Sequence, residues 1–397
     1  MPVHTERYAI IVPWLPFTNL WQAAGPAAGA GGALCYAVCI PGKHHVRYLN
    51  QLEPDALVAR FAEHPPIGFS VLEAAGTPAF IAPFDLLTTA DAEARDKVMH
   101  APGYRWWGKL LRWRTAFVGT TVSEYALFPR GADPYALARA LRDALGRRQR
   151  LLIVKDIPQA SPLFDADAAE WCRRFGDACA DNGFVLLEGQ ALAYVPIDFA
   201  SEDEYLARLS SGRRKDIRRK LRKRDDVVVE PVRCGDAMFV DDATVDAYYA
   251  LYENVYAQSE IHFDKLSRDF FAAVLRDAAN GGVVFVYRHQ DVTIGWNLCF
   301  VVAGKLIDKY VGFAYPQARE QNLYFTSWFH NLAFAREQGL THYVAGWTDP
   351  EIKSYLGAKF TLTRHAIYLR NPLLRMLARK LGRFFESDSQ WATHEQA

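Results

Sequence analysis

The segment Lys305–Phe313 (KLIDKYVGF) sets a carboxylate, an amine and a phenol in consecutive positions, Asp308, Lys309 and Tyr310. The segment reads as a β-strand. Alternation then puts Leu306, Asp308 and Tyr310 on one face and Ile307, Lys309 and Val311 on the other. A carboxylate so placed can take a proton from an incoming ammonium, and a phenol can give one to a leaving thiolate or hydroxyl. Asp308 and Tyr310 are therefore the candidate acid–base pair. Trp296 and Asn297, on the strand before, are candidate substrate contacts, one turned to the core and the other to a cleft. Lys353 is a third candidate catalytic group, just past the strand HYVAGW (His342–Trp347). Trp347 and Glu351 beside it are candidate substrate contacts. A structural ion pair of Lys353 with Glu351 or Asp349 is the alternative reading.

Other chemistries leave no pattern. His262, His289, His330, His342 and His365 are scattered with no HxxxH or HExxH spacing, which predicts no metal site. No Gly-x-Ser-x-Gly elbow is present, which favours direct transfer over a covalent enzyme intermediate. The six cysteines (Cys35, Cys39, Cys172, Cys179, Cys234, Cys299) form no CxxC pair and read as reduced structural thiols. Ten Lys or Arg lie between Arg208 and Arg224. On a helix they cannot all share a face, so Ile217 and Leu221 pack while the rest are solvated. Arg213, Arg214 and Arg218 are candidates for a phosphate patch serving tRNA, a nucleotide tail or a lipid headgroup. A charged surface helix at a domain junction is the plain alternative.

The chain has 397 residues, half of them hydrophobic, and a formal net charge of +1. That length is more than one ordinary core accommodates, so two domains are expected. The balanced charge predicts neither a nucleic-acid nor an acidic partner. No signal-peptide pattern and no run of about 18 apolar residues occurs, so the expected location is cytoplasmic. The stretch Ala23–Ala33 is a low-complexity Ala/Gly segment with no function assigned.

The elements that must position these groups are clearest in the C-terminal half. Ser201 with Glu204 forms a capping box for a helix running to Arg224, with a break at Ser210–Gly212. Val227–Arg233 is a strand, Asp242 and Ser267 open helices, and Val283–His289, Thr293–Val302 and Lys305–Phe313 form a meander. A helix from Gln321 to Gln338, the strand His342–Trp347, a short helix and the strand Leu362–Leu369 follow. The N-terminal half repeats the order loosely. A meander-like region spans Leu34–Tyr48 and Gly68–Phe84; a helix Pro134–Leu145, the strand Leu151–Ile157 and a helix from Asp165 to Asn182 follow; FVLLEG and ALAYVPI close the half as paired strands.

The stretch YLARLSSGRRKDIRRKLRK (Tyr205–Lys223), the meander, and Lys305–Phe360 with its Lys353, Leu356 and Gly357 resemble the FemAB-like tandem GNAT proteins, including the BioF2-like branch. The resemblance implies an α+β fold of two tandem GNAT-type domains, each a mixed sheet flanked by helices. The expected boundaries are 1–200, 201–371 with the active-site cleft, and 372–397 as an amphipathic helix and tail. It implies acyl transfer to a small-molecule or peptide amine from acyl-CoA as donor substrate, with no metal. The phosphate-binding corner of the family falls on Arg319, Gln321, Asn322 and Tyr324, where Asn322 and Tyr324 replace the usual small residues. Val344 stands where many relatives carry an acid. An aminoacyl-tRNA donor, with a peptide, lipid-linked or small-molecule acceptor, is the alternative. A non-catalytic binding module is the second. Asn371–Phe385 reads as an amphipathic helix that either docks on the protein or attaches it to the inner face of an anionic membrane.

Overall fold

The computed structural model of the chain describes residues 46–87, 92–259 and 263–381. The expectations placed on Ala23–Ala33, Cys35, Cys39, His262, Phe384 and Phe385 lie outside these residues.

The first described elements are helix α1 (Asp55–Glu63), the hairpin β1 (Ser70–Ala74) and β2 (Thr77–Asp85), and two short helices, α2 (Ala92–Met99) and α3 (Tyr104–Trp107). Strand β3 (Arg112–Val118), helix α4 (Pro134–Leu141), β4 (Leu151–Pro158), α5 (Ala166–Asp181) and β5 (Val185–Pro196) complete it. Helix starts follow the side-chain caps: Asp133 and Asp165 each accept an amide of the first turn at 2.8 Å.

The second half begins with α6 (Glu202–Ala207) and the basic α7 (Ser211–Leu221). The break between them is where the sequence puts it, because Ser210 caps the second helix by accepting the Arg213 amide. Of the Ser201–Glu204 capping box, the Glu204 amide donates to Ser201 Oγ at 3.1 Å, while the Glu204 carboxylate accepts from the Ala200 amide at 2.7 Å. Next come β6 (Val228–Arg233), α8 (Asp242–Gln258), α9 (Arg268–Leu275), and the meander β7 (Gly282–His289), β8 (Val292–Val302) and β9 (Lys305–Phe313). The described residues finish with α10 (Gln317–Glu320), α11 (Leu323–Glu337), β10 (His342–Gly346), α12 (Pro350–Tyr355), β11 (Lys359–Leu369) and α13 (Pro372–Leu381).

Two expectations of the arrangement change. FVLLEG and ALAYVPI are not a hairpin: Gly189 and Gln190 lie within one twelve-residue strand, β5. Nor are there two separate sheets. Among the described residues one sheet runs β1-β2-β3-β4-β11-β5-β10-β9-β8-β7-β6. The physical reason is an interleaving. The last strand of the second half, β11, inserts between β4 and β5 of the first, and β5 pairs in turn with β10. Neither half satisfies its backbone hydrogen bonds without the other. The fold is mixed α/β, with helices on both faces of a largely antiparallel sheet.

One apolar cluster unites the halves on one face. It joins Phe80, Phe117 and Tyr125 to Phe271, Trp296 and Val344. Cys172, Cys179, Cys234 and Cys299 are buried free thiols, as read from the sequence. No described helix is long and apolar enough to cross a membrane.

Candidate active site

The only parallel strand pair in the second half, among the described residues, creates the site. Strands β9 and β10 pair at His342–Lys305, Tyr343–Leu306 and Val344–Ile307, and then part. Gly346, at φ 80°, ends β10, whereas β9 continues to Phe313. Asp308, Lys309, Tyr310 and Val311 therefore keep accessible surface in succession. A strand between two partners shows this only where one partner leaves it. The result is a crevice floored by the free edge of β9.

On the α11 face of the crevice a closed polar network holds Asp308. Tyr343 donates its hydroxyl to Asp308 Oδ2 at 2.7 Å, and Asn297 Nδ2 donates to Oδ1 at 2.6 Å. Asn331, fully buried in the middle of α11, donates to Asn297 Oδ1 at 2.8 Å and to Asp308 Oδ2 at 3.2 Å. The Cys299 thiol also faces Asn297 Oδ1, at 3.2 Å. Burial holds the Asp308 carboxyl above the ordinary carboxylate range, against the opposing pull of the Tyr343 and Asn297 bonds and the charge of Lys353.

Lys353 comes from α12. Asp349, in a left-handed conformation, and Pro350 at the first helical position start that helix immediately beyond the crevice. The Lys353 residue is 4% exposed. Burial brings its ammonium down to about 8, while Asp308, Asp349 and Glu124 oppose the fall. A methyl group built on Gly346 would lie 3.9 Å from Lys353 Nζ and 4.0 Å from the Asp308 carbonyl oxygen. The amine and the strand thus converge on the residue where β9 and β10 separate. Lys353 makes an ion pair with neither Asp349 nor Glu351, and Glu351 is exposed in the first turn of α12.

Tyr310 does not share a face with Asp308. The register jumps from Leu298↔Tyr310 to Cys299↔Asp308, so Lys309 is an extra residue and the alternation inverts there. Tyr310 consequently points to the opposite face, where Phe270 and Phe271 meet its ring edge-on at 6.0 and 5.3 Å. Lys309 turns to two buried acids of the first half, reaching Glu124 Oε1 at 2.5 Å and Glu53 Oε1 at 3.6 Å. Trp296, read as a possible substrate contact, has no accessible surface, because its indole N–H donates to the Tyr248 carbonyl at 2.9 Å. Asn297 is equally buried and acts through Asp308. Trp347 is half-buried and packs edge-on against Tyr125 at 6.1 Å.

The α10–α11 corner is occupied by the protein's own groups. Arg319 turns to Gln258 Oε1 at 2.6 Å and lies over Tyr315. Asn322, at φ 49°, ties its side-chain amide to the Lys220 carbonyl. Gln321 keeps its side-chain carbonyl buried without a donor. Tyr324 is half-buried, and its phenol is raised by burial and by the charges of Asp349 and Asp308, which places it beside the crevice.

The basic helix α7 lies against this corner. Lys223 donates to the Glu320 carbonyl at 2.6 Å, and Lys220 sits 4.1 Å from the Phe325 ring centroid. The three arginines singled out in the sequence are engaged by the protein itself. Arg213 reaches the Ser354 carbonyl and the Tyr355 ring, Arg214 the Leu209 carbonyl, and Arg218 Asp203. Behind α12 a surface cavity of about 400 Å³ is lined by Arg208, Arg213, Ser354, Gly357 and Lys359.

Asp308 and Lys353 are among the residues singled out in the sequence and meet at the crevice, whereas Glu53, Glu124, Asn331 and Tyr343, which also face it, were not singled out. The available signal was a short polar interruption of an apolar run, as with His330–Asn331 in WFHNLAF and Ser123–Glu124 in VSEYALF.

Residues 211–354 match the model of the acetyltransferase (GNAT) domain. No curated protein matches the sequence significantly. Among solved structures, the C-terminal domain assigned to a lysylphosphatidylglycerol synthetase of Agrobacterium fabrum superposes with a TM-score of 0.50 at 15% identity, covering 81% of this chain and 88% of that one. The L-PGS structure from Bacillus licheniformis gives 0.45 at 11% identity, over 86% and 98% of the two chains. FemX gives 0.42 at 12% identity, over 81% and 97%.

Proposed function

We propose that the chain is an N-acyltransferase that moves an acyl group from acyl-CoA to an amine by direct attack within a ternary complex. The observation that carries this reading is the convergence of Lys353 and Asp308 at the parting of β9 and β10. In the proposed division, residues 1–200 form one GNAT-like half, 201–371 the catalytic half and 372–397 the tail; the acetyltransferase match falls inside the second.

The acceptor arrives as an ammonium and must lose a proton before its lone pair can attack. Lys353, brought down to about 8, is in part a neutral amine near neutral pH and takes that proton. The freed amine adds to the thioester carbonyl. Backbone N–H groups on the free edge of β9 then face the developing oxyanion. As the C–S bond breaks, the nitrogen gives up its second proton to water and the amide forms, and the leaving thiolate receives the proton from the Lys353 ammonium. In this proposal Asp308, whose two oxygens are held by Asn297, Asn331 and Tyr343, is not given the part of the direct base. It instead steadies the charged form of Lys353.

A second reading replaces the thioester by an aminoacyl-tRNA ester, with a peptide, lipid-linked or small-molecule acceptor. The α10–α11 corner favours it. Arg319 and Asn322 are committed to Gln258 and Lys220, and Tyr324 stands where a pyrophosphate needs a small residue. In this reading the basic helix and the cationic cavity behind α12 take the nucleic-acid phosphates. Release of free thiol from acetyl-CoA, against release of uncharged tRNA from charged tRNA, each dependent on added amine, separates the two.

Peripheral attachment to an anionic membrane through α13 belongs to the same proposal. Leu373, Leu374, Met376 and Leu377 are exposed on that helix, with Arg375 and Arg379 among them.

A further inference from the structure

Across the crevice from Asp308 the charges do not balance. The side chains of Glu53 and Glu124 are 1% and 2% exposed and share one buried cation, Lys309. Glu124 also donates its backbone amide to Glu53 Oε1 at 2.6 Å. Each carboxylate is left with a second oxygen, Oε2, buried and without a donor. The Tyr310 hydroxyl, within electrostatic reach of both acids, is likewise buried without a partner. A third acid, Asp264, which burial pushes up to about 6 against the pull of Thr121, Lys155 and Lys309, acts on Tyr252, Tyr256 and Tyr310.

An uncompensated buried carboxylate is among the costliest things a fold can keep. Burial, the leading cause, correspondingly pushes the Glu53 carboxyl up. Such a surplus is retained only where something completes it, and the missing component is defined by what is left over. Two carboxylate oxygens and a phenol oxygen accept hydrogen bonds, the net charge is negative, and the surrounding rings are electron-rich faces. A metal ion is disfavoured because Lys309 already occupies the space between the two acids.

We propose that this cluster seats a primary ammonium on an apolar or aromatic stem. Its three N–H groups donate to Glu53 Oε2, Glu124 Oε2 and the Tyr310 oxygen, and the stem lies against the tyrosines of α8. Glu124 also acts on Lys353, so the seat adjoins the proposed proton acceptor. That the ammonium belongs to the acceptor rests on the acyl-transfer reading; the binding itself does not.

The test is calorimetric titration of the full chain, without donor, with phenethylamine and with its neutral isostere 2-phenylethanol. The expected result is binding of the amine at least tenfold tighter than of the alcohol. Glu53→Gln and Glu124→Gln should each weaken the amine about tenfold or more, the scale of one charged hydrogen bond, and leave the alcohol unchanged. Unfolding monitored on the same samples confirms the fold, and Tyr310→Phe provides a milder variant should either glutamine variant fail to fold. Equal binding of amine and alcohol, no binding of either, or undiminished amine affinity in the folded variants would overturn the proposal. Amine binding without any acyl transfer would instead overturn only the enzymatic reading.

Discussion

Lys353 and Asp308 approach Gly346 from different elements: the amine would lie 3.9 Å, and the strand carbonyl 4.0 Å, from a methyl group placed there. They share a space without closing into an ion pair. The amine is thereby left titratable rather than locked as a structural cation.

Replacing Lys353 with methionine should lower kcat by about 10²–10⁴-fold, the range for loss of a positioned general base. Melting temperature should hold or rise, since a buried charge is removed and the stem volume is kept. Steady-state rates measured beside thermal unfolding check this. A large fall in melting temperature with unchanged activity per folded molecule would make Lys353 structural.

The same lysine sets a pH signature in stability. Its amine titrates near 8 when folded and near 10.5 in an ordinary environment. Between those values the unfolded chain binds the extra proton, so this group makes stability rise with pH across that window. Below about 8 both states are charged and the penalty is constant, on the order of a few kcal/mol. Denaturant unfolding across about pH 7.5–10.5 should show the slope in the wild type and lose it in Lys353→Met.

Asp308→Asn removes the negative charge that props up the Lys353 ammonium. The amine should then titrate lower, and the ascending, acidic limb of kcat/KM should move to lower pH. The amide also sets an N–H against the donors of Asn297, Asn331 and Tyr343, at a cost of about 1–3 kcal/mol. An unmoved pH profile with a normal fold would separate Asp308 from Lys353.

Gly346→Ala tests the floor of the crevice. At φ 80° an alanine is strained by about 1–2 kcal/mol, although the added carbon has room. Denaturant unfolding should register that loss, while Gly212→Ala, where a methyl meets nothing within 4 Å, should not destabilise the protein.

Much of the frame was legible because it is local. Ser201 and Ser267 cap the helices they were expected to start, Ser210 caps the second piece at the expected break, and the three-strand meander follows from turn chemistry at Gln290–Asp291 and Ala303–Gly304. What was not legible is non-local. The bulge at Lys309, which sends Asp308 and Tyr310 to opposite faces, comes from pairing with β8 and leaves no mark in KLIDKYVGF. The exchange of β5 and β11 between halves depends on sheet pairing across the whole chain. Glu53 and Glu124 are bridged by Lys309, far along the sequence, which reaches both of them.

Amine-dependent release of thiol from acetyl-CoA, followed from about pH 6.5 to 9.5 in wild type and Lys353→Met with phenethylamine as acceptor, tests the central claim most directly. The account predicts release that rises with pH through an apparent pKa of about 8 and collapses in the variant. Thiol release that is independent of added amine, or that Lys353→Met leaves intact across that range, would contradict it.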